Sequence, residues 1–171
     1  MSAPCLKLKL ELPEDSWRLT ATAASAAFSV KGRAWIQPKK LIEFADALDA
    51  YPITVERTPE LLAGSILDGK LREAGFDFVR ITIQPATARG LLQARIGLGE
   101  LTSHPDDAGS NSFSWDRVRQ SQLDHPQYFP YYQAVGVAFP IEYQAIVDFA
   151  SALRGLVSGV AEEASLHAAI L

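Results

Sequence analysis

Phe78-Val79-Arg80-Ile81-Thr82-Ile83-Gln84 is followed, after the turn-rich stretch from Pro85 to Gly90, by Leu91-Leu92-Gln93-Ala94-Arg95-Ile96-Gly97-Leu98. Val79, Ile81 and Ile83 alternate with Phe78, Arg80, Thr82 and Gln84, and Leu92, Ala94, Ile96 and Leu98 alternate with Gln93 and Arg95. A period of two in both runs predicts an antiparallel hairpin between Phe76 and Leu101 with one buried face. Gly97-Leu98-Gly99 lies inside the second run and no helix follows it, so it reads as a bulge or a close backbone approach rather than a nucleotide-binding turn.

Working outward, Leu6, Leu8, Leu10 and Leu12 alternate with Lys7, Lys9 and Glu11 and predict a second half-buried strand. Trp17 to Val30 reads as a longer strand, broken at Gly32 and resumed from Arg33 to Gln37. Pro38 suits the first turn of a helix, with Leu41, Phe44, Ala45 and Leu48 on one face. Thr58 as N-cap predicts broken helical pieces over Leu61 to Ala74, with Gly75 as a stop. Tyr132 to Phe139 reads as a strand. Pro140 then opens a long helix that buries Ile146, Phe149, Ala150, Leu153, Leu156 and Val157 and ends at Ser158-Gly159. Val160 to Leu171 is Ala-rich and reads as a terminal helical piece.

Strands with one covered and one wetter face, joined to two amphipathic helices, predict an α+β fold: an antiparallel twisted sheet of about five to seven strands with helices packed on one face. The expected core comprises Leu8, Leu10, Leu41, Phe44, Leu48, Ile81, Ile83, Ile96 and Leu98, together with Ile146, Phe149 and Leu153. Glu43-Phe44-Ala45-Asp46-Ala47-Leu48 and Asp148-Phe149-Ala150-Ser151-Ala152-Leu153 share a phrase, each entered from a strand through a proline. Either a degenerate internal β-α repeat or two ordinary amphipathic helices accounts for it.

A chain of 171 residues, with 48% hydrophobic and 21% charged side chains, suits a single domain spanning 1–171 with its own core. Its formal charge of −4, with Lys and Arg scattered along the chain, argues against nucleic acid as partner. No stretch approaches the length of a membrane span and the amino terminus lacks an apolar leader, so the expectation is a cytoplasmic protein without a membrane partner. Cys5 is the sole cysteine. It can form no internal disulfide, and it fits a reducing compartment.

The segment at about 102–133 has no periodicity. It is dense in small polar residues and aromatics, and loops this long are usually functional. Trp115, Arg117, Arg119, Tyr128, Phe129, Tyr131 and Tyr132 are the candidate binding residues, because aromatics and Arg are enriched at interfaces. His104, Asp106, Asp116, Asp124 and His125 supply metal-ligand types in the same segment, but their spacing matches no zinc or iron pattern, so no metal and no cofactor are expected. The adjacent pairs Asp106-Asp107 and Glu162-Glu163 point apart and read as solvated faces. No nucleophile elbow and no P-loop occur, and His167 reads as a surface histidine.

The order of elements, with strands leading to Trp35-Ile36-Gln37-Pro38 and Leu41-Ile42-Glu43-Phe44, the hairpin, then Ile146-Val147-Asp148-Phe149, resembles WapI-type immunity proteins and related bacterial domains. That resemblance implies a small bacterial protein that binds another protein without catalysis, and it carries over no site residue. The leading expectation is therefore a non-enzymatic interaction domain whose partner is another protein. One alternative is a small-molecule-binding protein or enzyme with a pocket between the 102–133 loop and the sheet; another is self-association, with a second copy as partner. Replacing Trp115 and Tyr131 together with Ala should leave the far-UV spectrum and cooperative unfolding intact while abolishing the interaction, as read by solution mass or partner binding.

Overall fold

Alternating leucines and lysines at the start of the chain form β1 (Cys5–Glu11), the first of ten strands and two helices among the described residues of the computed structural model. It describes residues 3–12, 17–25, 27–64, 66–67, 70–71, 78–87, 91–101 and 132–169. β1 continues as a meander through β2 (Arg18–Ala24) and β3 (Ser29–Trp35) into α1 (Pro38–Asp49). β4 (Glu60–Gly64) and the two-residue strands β5 (Ile66–Leu67) and β6 (Lys70–Leu71) follow. A second meander of β7 (Phe78–Pro85), β8 (Leu92–Leu101) and β9 (Tyr132–Ile141) leads into α2 (Tyr143–Ser158) and β10 (Ala164–His167).

The fold is α+β. Its main strands divide between two four-stranded antiparallel sheets, ordered β10-β1-β2-β3 and β4-β7-β8-β9, instead of gathering in one. Both halves follow one plan: a three-stranded meander, a helix, then a strand that crosses to pair with the first strand of the other meander. Thus Leu61 of β4 lies opposite Ile81, and Leu166 of β10 lies opposite Leu6. Leu41, Phe44, Ala45 and Leu48 on α1, and Ile146, Phe149, Ala150 and Leu153 on α2, occupy matching positions from the first helical residue, and all are buried.

The inner faces and both helices share one continuous core. Of the expected core residues all are buried except Leu10, which packs against the cluster from its rim. The hairpin of β7 and β8 has the expected facing, with Val79, Ile81, Ile83, Ala94, Ile96 and Leu98 inward. Its register is unbroken through Gly97, which lies opposite Arg80 and Gly136, so the glycine marks no bulge. The chain from Trp17 to Gln37 turns at Ser25 to Phe28, where the Ser25 N–H bonds the Phe28 carbonyl at 2.8 Å. Gly32 does not break the strand. It lies mid-β3, where an added Cβ would stand 3.1 Å from the Leu98 Cβ, so this glycine lets the first sheet approach the second.

Three expected helical features are not helical. Glu60 to Gly64 is strand β4, because Leu61 and Ala63 find inward partners on β7; the Thr58 hydroxyl donates back to the Thr54 and Val55 carbonyls and caps no helix. Ala164 to His167 pairs with β1, and tertiary pairing there outweighs the helical preference of alanine. Pro140 belongs to the end of β9, and α2 starts at Tyr143. Gly159, at φ 75°, ends α2 as expected, its N–H and that of Val160 returning to the Leu156 and Gly155 carbonyls. Gly69 and Gly75 lie outside the described residues.

The helices lie side by side. Arg154 of α2 reaches Asp46 and Asp49 of α1 at 2.7 and 2.6 Å, and the Tyr143 hydroxyl accepts the Ile53 N–H at 3.0 Å. Removing the Phe149 ring should cost about 3–5 kcal/mol in chemical unfolding, because the cavity would open in the middle of this core. Gly32→Ala should cost about 1–3 kcal/mol by overpacking against Leu98. Gln93→Ala, on the outward face of β8, should cost no more than about 0.5 kcal/mol.

Candidate functional site

Cross-strand register assembles on the outer face of the first sheet what the sequence keeps apart. Glu11, Arg18 and Trp35 form one row; Lys9, Thr20 and Arg33 the next; Lys7, Thr22 and Lys31 a third, with Ser165 of β10 beside Lys7. Side chains directly opposite each other share a face, so Lys7, Lys9, Arg18, Lys31 and Arg33 converge there. Against these cations stand Glu11 and Glu163. Glu163 reaches Lys7 at 3.0 Å and Lys9 at 3.9 Å and accepts a hydrogen bond from the Ser165 hydroxyl. The Lys7 hydrogen bond holds the Glu163 carboxyl below its ordinary range, and the same contact raises Lys7.

Thr20 sits at the centre of this face. It is 4% exposed, and its hydroxyl has no hydrogen-bond partner. A buried hydroxyl left unpaired is costly. At one end the Arg18 guanidinium lies 4.4 Å from the centre of the Trp35 ring, and the ring is 43% exposed. Arg18, Arg33, Ala34 and Trp35 line a cavity of about 110 Å³.

The outer face of the second sheet has a different character. Thr82 and Gln84 of β7, Arg95 and Gly97 of β8, and Gly136 and Ala138 of β9 line an open depression of about 470 Å³. Gly97 lies opposite Gly136, the Phe78 ring stands beside Gly97, and Arg95 lies opposite Ala138. Arg80 at its margin is paired with Glu60 at 2.7 Å.

Of the residues that the sequence nominates, Trp115, Arg117, Arg119, Tyr128, Phe129 and Tyr131 lie outside the described residues, as do His104, Asp106, Asp107, Asp116, Asp124 and His125. Tyr132 opens β9. Glu162 and Glu163 point apart as expected, Glu162 into solvent and Glu163 toward Lys7. His167 is exposed and lies opposite buried Cys5 across β1 and β10, a neighbour that sequence distance conceals. Among the described residues no three His, Cys, Asp or Glu side chains are grouped to hold a metal, and no helix is long and apolar enough to cross a membrane.

The sequence missed the cationic face because its members come from three strands whose register cannot be read along the chain. The available signal was their parity, Lys7 with Lys9 and Lys31 with Arg33. No family model matches the chain, and no curated protein or solved structure matches it.

The depressed Glu163 carboxyl stabilises the fold above its unfolded value, and this contribution is lost as pH falls through the folded value. Lys7→Met should therefore be less stable than the parent at about pH 7, with the gap closing as pH falls below the ordinary carboxylate range, when urea midpoints are compared.

Proposed function

We propose that this protein is a non-enzymatic interaction domain that docks an acidic surface of a partner protein against the outer face of β1, β2 and β3. The observation that carries the reading is charge segregation. A chain of formal charge −4 places Lys7, Lys9, Arg18, Lys31 and Arg33 around one buried, unpaired hydroxyl, with Glu11 and Glu163 beside them among the described residues. Such a patch steers an acidic partner and fixes its orientation. A protein surface fits better than a nucleic-acid strand. Strand binding relies on several aromatic rings that stack successive bases, whereas Trp35 stands alone in its rows and Arg18 lies over its ring. The immunity-like bacterial role implied by the resemblance belongs to this class, since it also binds a protein without turning anything over.

The depression on the second sheet favours one other reading, a small-molecule site. Its volume falls within the roughly 300–1,000 Å³ of ligand pockets, and Arg95, Thr82 and Gln84 offer polar groups for an anionic ligand.

Titration with a labelled Asp/Glu-rich peptide separates these readings. Fluorescence anisotropy should show binding that weakens as salt rises, and Lys9→Glu combined with Arg33→Glu should weaken it by about tenfold or more, about 1.4 kcal/mol. Arg95→Glu should leave it unchanged. Tighter binding of a single-stranded oligonucleotide through the same residues would replace the acidic-protein partner. Sensitivity to Arg95→Glu alone would move the site to the second sheet.

A further inference from the structure

Among the described residues four strands end the two large sheets, and they differ in what guards their free backbone. β3 carries Lys31 and Arg33. β4 has five residues and begins with Glu60, and β10 has four and follows Glu162-Glu163. β9, Tyr-Gln-Ala-Val-Gly-Val-Ala-Phe-Pro-Ile over ten residues, holds no charged side chain. Natural sheets blunt their edges with charge, proline or shortness, because an unguarded edge templates pairing with another chain. β9 has one such device, Pro140, near its far end.

The direction of the open edge follows from one contact. The Ala169 N–H donates to the Pro140 carbonyl at 2.8 Å, so the Pro140 backbone faces away from β8. Alternation along a strand turns the N–H and C=O groups of Gly136 and Ala138 the same way. Both residues are exposed, and a Cβ built on Gly136 meets nothing within 4 Å. The glycine is thus required neither by packing nor by a left-handed backbone, and a side chain can be placed there without disturbing the monomer.

We propose that two copies of this chain pair β9 with β9, antiparallel about a twofold axis near Gly136, so that their four-stranded second sheets become one continuous sheet. An isologous contact sets a strand against its own reversed copy, so a charged edge such as β3 would bring cations against cations. β9 avoids this along its whole length, and Val135 and Val137 suit a paired strand. The Pro140 end lies outside the pairing, its carbonyl already bound and its N–H absent. This interface is independent of the cationic face, which lies on the other sheet.

Sedimentation velocity on the parent and two variants tests it. The parent should sediment as a dimer of the 18.6 kDa chain. Gly136→Lys, which sets like charges directly across the axis, should weaken dimerisation by about tenfold or more, and Ala138→Lys, which brings two cations into the same seam, should weaken it in the same sense, each with the far-UV spectrum unchanged. Arg33→Glu should leave the dimer intact. A monomeric parent would overturn the proposal, as would a dimer that survives both lysine substitutions or is lost only on replacing Trp115 and Tyr131. If Gly136→Lys fails to fold, the result for Ala138→Lys decides.

Discussion

Leu6 opposite Leu166, and Leu61 opposite Ile81, are the pairings on which the architecture depends, because each sheet is finished by a strand delivered from the other half of the chain. Neither three-stranded meander is complete without the strand that follows the opposite helix. The two helices pack against each other, and Arg154 spans the gap to Asp46 and Asp49. Exposed ion pairs of this kind contribute little stability; their part is to hold orientation.

The same crossing explains how side-chain size is distributed across the first sheet. Where β1 and β10 face α2, the inward residues include Leu6, Leu8 and Leu166; where β3 meets the second sheet, they include Gly32 and Ala34. Large side chains fill the space under a helix, and small ones let two sheets meet. Gly32 against Leu98 is the tightest expression of that rule, and here the demand comes from volume and not from backbone conformation.

Local periodicity made much of this legible. The β7–β8 hairpin, β1, β9, the buried stripes of both helices and the Gly159 stop follow from spacing alone, because each reports a face that must be buried. What could not be read was partnership. Leu61 to Gly64 and Ala164 to His167 carry weak local signals, and they become strands because β7 and β1 offer inward-facing neighbours far away in sequence. The cationic face was hidden for the same reason. Lys9, Thr20 and Arg33 are unremarkable where they stand in the chain and become one row only through two registers.

Because both halves obey one plan, their inward residues are interchangeable in kind: Leu41 with Ile146, Phe44 with Phe149, Leu48 with Leu153. Those positions answer to the core and say little about activity. The halves part company on their outer faces. One carries lysines and arginines around a buried threonine; the other has a floor of glycine and alanine beside Arg95. Their edges diverge in the same sense, β3 guarded by Lys31 and Arg33 and β9 without a charge. A difference that the shared core does not demand needs another cause. An acidic partner on the first sheet and a second copy along β9 would each supply one, and neither surface obstructs the other.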